Sequence, residues 1–171
     1  MEDLLIVVLR AAHILLGTIW FGFGVLAMWV LHPAAERMGE KGLTMLRMFY
    51  GYTRFGMVMP VVSIGTTLAG IILWLMRSDG LTDLVAFTST GDLVMIVGAV
   101  VGLAAFGHGA ASTGKHTEAF AKASIAYDEN PSDENMAAVR AAKTKLDLHG
   151  RISGWMTLVA IVCMASARYL A

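Results

Sequence analysis

"AAHILLGTIWFGFG", residues 11–24, decides how this chain is read. It carries no charge, and it lies inside a run from Leu4 to Leu31 that only Arg10 and His13 interrupt with ionisable groups. A helix crosses about 30 Å of hydrocarbon in roughly 20 residues at about 1.5 Å each, so this run is long enough to span a membrane. Three further segments meet the same test: Gly56 to Met76, Asp92 to Ser112 and Ile152 to Leu170. The whole composition agrees, with 57% hydrophobic and 15% charged residues, far from the make-up of a soluble domain. The expected fold is all-α: an integral membrane four-helix bundle forming a single transmembrane domain over residues 1–171. Glu2 and Asp3 stand where a secretory signal would be basic, and the apolar stretch is too long for a signal core, so the first segment is expected to be retained.

Between the spans, charge is unevenly placed. Arg37, Lys41, Arg47 and Arg54 follow the first span, and Lys115, Lys122, Arg140, Lys143, Lys145 and Arg151 follow the third, whereas the middle loop holds only Arg77. The positive-inside rule puts the two basic loops in the cytoplasm and both chain termini outside. The loop from Thr113 to His149 is the one sizeable polar segment. "KHTEAFAKASIAYDEN", residues 115–130, spaces Phe120, Ala123 and Tyr127 helically, and "SDENMAAVRAAKTKLDLHG", residues 132–150, does the same with Met136, Val139 and Leu146. "DENPSDEN" breaks the pattern between them, with Ser132 or Asp133 ready as the next N-cap. A cytoplasmic helical hairpin over about 113–149, extending spans three and four, is the consequence.

Thirteen basic and thirteen acidic residues cancel, and no polybasic tract points to nucleic acid. The single cysteine, Cys163, sits in an apolar run, which excludes an intramolecular disulfide and a thiolate cluster within one chain.

Chemistry gathers on the first span. Residues three or four apart share a helix face, so Arg10, His13, Gly17, Trp20 and Gly24 form one stripe. An ionisable side chain in a span is costly unless it faces the bundle interior, a cavity or a ligand. Gly17, one turn from the imidazole, leaves room for a flat ligand or for a neighbouring backbone. Haem suits such a stripe, because a neutral imidazole is a common axial ligand and arginines can meet its propionates. Arg10, Arg77 and Arg168 lie at the expected outer ends of the spans, and Met164 lies at a depth suited to a sixth ligand, with Met95 nearer the surface. The alternative is structural: a histidine that hydrogen-bonds a neighbouring helix, glycines that serve close packing, a packed Trp20 and an Arg10 that snorkels to the interface.

A second histidine group lies at the other membrane level. His32 ends the first span, His108 lies near the end of the third, and His149 precedes the fourth, with His116 farther along the polar extension. Brought together, His32, His108 and His149 could ligate zinc, copper or a second haem. His108 sits in "FGHGA", residues 106–110, on a helix that also carries Gly98 and Gly102. That glycine pair makes a small-residue face for helix packing or for a homodimer. The twelve methionines invite a copper reading, since thioethers suit Cu(I), but they are spread through the spans as packing residues would be.

"HILLGTIWFGFGVLAMWVLHPA", residues 13–34, resembles the first span of the copper-resistance D family and of the HemJ-type protoporphyrinogen oxidases, in which a histidine is followed about seven residues later by an aromatic residue and a glycine. "GRISGWMTLVAIVCMASARYL", residues 150–170, resembles the ending of four-span bacterial proteins that share that first-span pattern. The oxidase resemblance implies b-type haem held through His13. Those oxidases also carry an intramembrane lysine in a later span, where this chain has "TGDLVMIV", residues 90–97, with Val97 at the lysine's place. The resemblance thus points to haem binding rather than to porphyrinogen oxidation.

The expected function is a membrane protein of the bacterial plasma membrane that binds one or two haem b groups and works in electron transfer, or as a haem-dependent oxidoreductase with a redox partner or quinol. Two alternatives stand beside it. One is a copper or other transition-metal transport or binding protein of the copper-resistance D type; the other is a structural or accessory subunit without a cofactor.

Overall fold

Thr90 begins a helix because Ser89 prepares it. The Ser89 hydroxyl accepts the Asp92 amide at 3.1 Å and donates to the Asp92 carboxylate at 2.8 Å, a reciprocal cap that satisfies donors a helix start would leave open. The same serine-first logic starts the last helix, where Ser132 Oγ accepts the Asn135 amide at 3.2 Å. The computed structural model describes residues 2–78, 80 and 89–170, and most of the expected middle loop lies outside the described residues. Among the described residues seven α-helices are formed: α1 (Glu2–Val25), α2 (His32–Arg37), α3 (Glu40–Tyr52), α4 (Phe55–Arg77), α5 (Thr90–His108), α6 (Gly114–Glu129) and α7 (Asp133–Ala167). Among the same residues two π-helical segments, Leu26–Leu31 and Gly109–Thr113, bridge α1 to α2 and α5 to α6. No strand occurs among the described residues.

The fold is an all-α helical bundle, and four continuous helical stretches are long and apolar enough to cross a membrane: Leu4–Arg37, Phe55–Arg77, Thr90–Glu129 and Asp133–Ala167. The first three each contain an expected span; the fourth covers the expected span from Ile152 but ends at Ala167, short of Leu170. Leu4, Val7, Val8, Ile14 and Leu15 on α1 and Val97, Val100 and Leu103 on α5 are exposed. In water so much open apolar surface would drive association; in a bilayer it is lipid contact. This is a multi-pass helical membrane protein.

The chain divides into two compact units. The first comprises residues 1–21, 61–106 and 155–171. Within it small residues set the helix spacing. A Cβ on Gly65 would stand 2.7 Å from a Leu16 methyl, and one on Gly70 would stand 2.8 Å from the His13 ring. Only bare backbone lets α1 lie this close to α4. On α5, Gly98 meets the Ala160 carbonyl and the side chains of Cys163 and Met164, and Gly102 faces Met164 and Ala160. Of the two uses open to the small-residue face of α5, helix packing is the one seen, against α7 within the chain.

The second unit comprises residues 22–60 and 107–154. Its core is Ala27, Met28, Ala35, Leu46, Tyr50, Phe120, Val139 and Leu146. Phe120, Val139 and Leu146, three of the residues whose spacing marked the hairpin, are fully buried, and Ala123, Tyr127 and Met136 pack against them. The segment after the first span, read above only for its charge, is helical over α2 and α3 and supplies Leu46 and Tyr50 to this core. Gly39 turns the chain between those helices at φ +58°, a left-handed conformation suited to glycine. Gly42 then packs so tightly on Ala35 that any Cβ would overlap its backbone.

Both π segments flank histidines. Pro33 offers no N–H to the carbonyl four residues earlier, that of Trp29, so the α-helical ladder is interrupted there in any case. The chain widens instead, and the His32 amide reaches the Ala27 carbonyl five residues back. The Gly114 amide reaches Gly109 in the same way, just after His108. Such wide turns are frequent at functional sites.

Candidate functional site

His13 lies on α1 against α4. Its Nδ1 is 2.8 Å from the Thr66 carbonyl oxygen, and a carbonyl can only accept, so Nδ1 carries the proton. In the neutral imidazole Nε2 then keeps its lone pair, and among the described residues none hydrogen-bonds to it. Gly70 makes this contact sterically feasible, because a Cβ there would meet Cε1 and Nδ1 of the ring at 2.8 and 3.0 Å. The Thr66 hydroxyl is occupied with the Val62 carbonyl at 2.7 Å. A cavity for a flat ligand is not the use found for Gly17: it faces the Thr66 methyl, with 3.4 Å to an added Cβ, so its bareness serves helix packing.

The other residues expected around the haem have settings of their own. Arg10 is exposed and Trp20 is half-buried. Arg77 forms an ion pair with Asp92. Arg168 lies over the Tyr169 ring, 4.5 Å from its centroid. Met164 rests in the notch of Gly98 and Gly102, where its thioether fills space on α5.

His32 is the most enclosed histidine, 1% exposed. Its Nδ1–H donates to the Asp147 carboxylate, and its Nε2 lies 2.9 Å from the Tyr50 hydroxyl. The Tyr50 hydroxyl and the Asp147 carboxylate thus engage both ring nitrogens. Burial, and after it the negative charge of Asp147, push the Tyr50 hydroxyl well above the ordinary phenol range, so it stays protonated and remains a donor. Lys143 holds the far side of Asp147 at 2.6 Å and reaches Glu36 at 3.3 Å. Acid, imidazole and hydroxyl in line are the parts of a nucleophile-activating relay, but here the hydroxyl is 4% exposed and ringed by Phe49, Phe55 and Phe120. The arrangement joins α2, α3 and α7 through satisfied buried polar groups. Beside it, a cleft of about 320 Å³ is lined by Glu36, Glu40, Arg140 and Lys143 among others, and its cations are paired with those acids and with Asp147.

His108 and His149 lie together, with 3.2 Å between Nε2 and Nδ1. His32 does not join them; its place is taken by His116, whose ring stacks on His149 at 4.7 Å. Thr113 and Ser153 complete the group. Thr113 Oγ1 donates to the His149 carbonyl at 3.2 Å and lies 2.8 Å from Ser153 Oγ, which lies 2.9 Å from His108 Nδ1. Among the described residues no group of three or more His, Cys, Asp or Glu side chains is arranged to hold a metal ion.

Asp147, Tyr50 and Ser153 are absent from the residues singled out by sequence, and His116 was named there without being placed among the ligands. His116 was accessible to that reading: it follows His108 by eight residues, just over two helical turns, which is one face of a continuous helix. Nothing local marks the pairing of His32 with Asp147.

Comparison with protein-family models, with curated proteins and with solved structures returns no match for this chain.

Proposed function

We propose that this multi-pass membrane protein binds b-type haem through His13 and acts in electron transfer or redox chemistry. The observation that carries the reading is the bond from His13 Nδ1–H to the Thr66 carbonyl. Histidines that ligate metals usually donate their other ring nitrogen to a carbonyl or carboxylate, which fixes the tautomer and raises the basicity of the ligating nitrogen. His13 has this arrangement, with Nε2 unengaged among the described residues. Gly70 supports it by giving the ring clearance against α4. When bound, haem would supply one-electron chemistry tuned by ligand, burial and nearby charge. Arg10 on the same helix face is the first cation available to a propionate.

The orientation that goes with this reading has the basic segments around Arg37 to Arg54 and Lys115 to Arg151 in the cytoplasm and the termini outside. The membrane is the bacterial plasma membrane, as for the four-span proteins the sequence resembles.

The test is the absorption spectrum of the detergent-purified protein, oxidised and dithionite-reduced, with a pyridine haemochrome assay. A Soret band is expected in the parent and is lost or strongly shifted in His13→Ala. Colourless protein from haem-replete cells would overturn the proposal.

A further inference from the structure

The geometry points to a second site, independent of the haem reading: a divalent transition metal of the imidazole-preferring kind, held between His108 Nε2 and His149 Nδ1. A hydroxyl chain lies behind them: Thr113 Oγ1 reaches the His149 carbonyl and Ser153 Oγ, and Ser153 Oγ lies 2.9 Å from His108 Nδ1. In the tautomer with its proton on Nδ1, His108 donates to Ser153 Oγ. This leaves the Nε2 lone pair of His108 aimed at His149. Without metal the two rings share the single proton of His149 Nδ1.

The spacing also fits an ion in place of that proton. Two imidazole nitrogens bound at about 2.0–2.1 Å in tetrahedral geometry stand about 3.3–3.4 Å apart, and these two are 3.2 Å apart. Taking up the ion requires only that the His149 proton move to its own Nε2, so each ring stays neutral and each presents one lone pair. Zinc, copper and nickel all accept imidazole nitrogen. His116 is a positioning residue and not a ligand, because a ring stacked face to face on His149, 24° from parallel, turns its π-face to that neighbour and not its lone pair. Ser153 positions His108 by holding its tautomer. Water or a small anion completes the coordination, and with two protein ligands in place of the three or four of dedicated zinc sites the ion is held more weakly than in those.

The test uses the full chain, tag-free and chelator-washed, in detergent or lipid nanodiscs, titrated with Zn²⁺ by calorimetry. A parallel Cu²⁺ sample is read by electron paramagnetic resonance for nitrogen couplings. One zinc per chain is expected, with affinity lowered about tenfold or more in His108→Gln and in His149→Gln and unchanged in His13→Ala and His32→Ala. Circular dichroism on each variant separates loss of site from loss of fold. Ser153→Ala should weaken zinc several-fold, and Ser153→Thr should restore it. Zinc bound equally well by both glutamine variants, or no saturable zinc binding by the folded parent, would overturn the inference.

Discussion

Gly150 lies so close to Met28 that a Cβ on it would stand 2.3 Å from the thioether sulfur and 3.0 Å from the flanking carbons. Met28 is 5% exposed and belongs to the core of its unit, so its side chain has little freedom to move aside. Gly150→Ala is expected to destabilise the protein by about 1–3 kcal/mol through overpacking, read as a lowered thermal midpoint in detergent. In Met28→Ala the obstructing sulfur is gone, and adding Gly150→Ala to that background should cost much less. Equal costs in both backgrounds would show that the two residues do not meet.

Gly70 governs the setting of His13. Gly70→Ala places a methyl where the imidazole edge lies and should push Nδ1 off the Thr66 carbonyl. If His13 ligates haem, this variant retains a histidine but loses the bond that fixes its tautomer, so haem retention should fall about tenfold or more and the Soret band should shift. Gly56→Ala is the control on the same helix, since nothing lies within 4 Å of its added Cβ. An unaltered spectrum in Gly70→Ala would detach the Thr66 contact from haem binding.

What the sequence disclosed and what it hid follow from the range of the signals. Spans are local, additive properties of hydropathy, and three of the four apolar runs lie wholly, and the fourth up to Ala167, within a helix long enough to cross a membrane. The buried face of the polar extension was local too: Phe120, Val139 and Leu146 stand out by helical spacing and are fully buried. A local signal also existed for α3, where Gly42, Leu46 and Tyr50 recur at intervals of four and are all buried, but charge dominates that segment's composition. The polar partnerships were not local. His32 meets Asp147 across 115 positions, and His13 meets the backbone of Thr66 across 53. Side-chain identity does not encode an acceptor that is a carbonyl, nor which of several imidazoles faces which acid.

Asp147 ties His32 and Lys143 together. Asp147→Ala leaves the Nδ1–H of a fully enclosed imidazole without its acceptor, and such a loss costs about 1–3 kcal/mol. Asp147→Asn keeps the shape and one acceptor oxygen, so it should recover part of the stability while weakening the hold on Lys143. Lys122 and Glu118 form an exposed i,i+4 pair, and Lys122→Ala should change stability by about 0.5 kcal/mol or less. Thermal melts of the three variants test the order; an Asp147→Ala protein as stable as Lys122→Ala would remove the buried relay from the stability of the fold.

Tyr50 makes the relay visible without a stability measurement. Its hydroxyl is raised above the ordinary phenol range by burial and then by Asp147, whereas in the unfolded chain it ionises near the usual value of about 10. A folded pKa above the unfolded one means that the stabilisation is complete below the unfolded value and is lost as pH rises through the folded one. Of the four tyrosines, Tyr50 should be the one that does not ionise while the protein stays folded, and the chain should lose stability in the window above the free-phenol pKa. Absorbance at the phenolate band, followed with circular dichroism during an alkaline titration, should show its ionisation coincident with unfolding. In Tyr50→Phe that late step should vanish while the other three phenols titrate as before. A late step that survives in Tyr50→Phe would assign it to another tyrosine and leave the His32–Tyr50 bond without support.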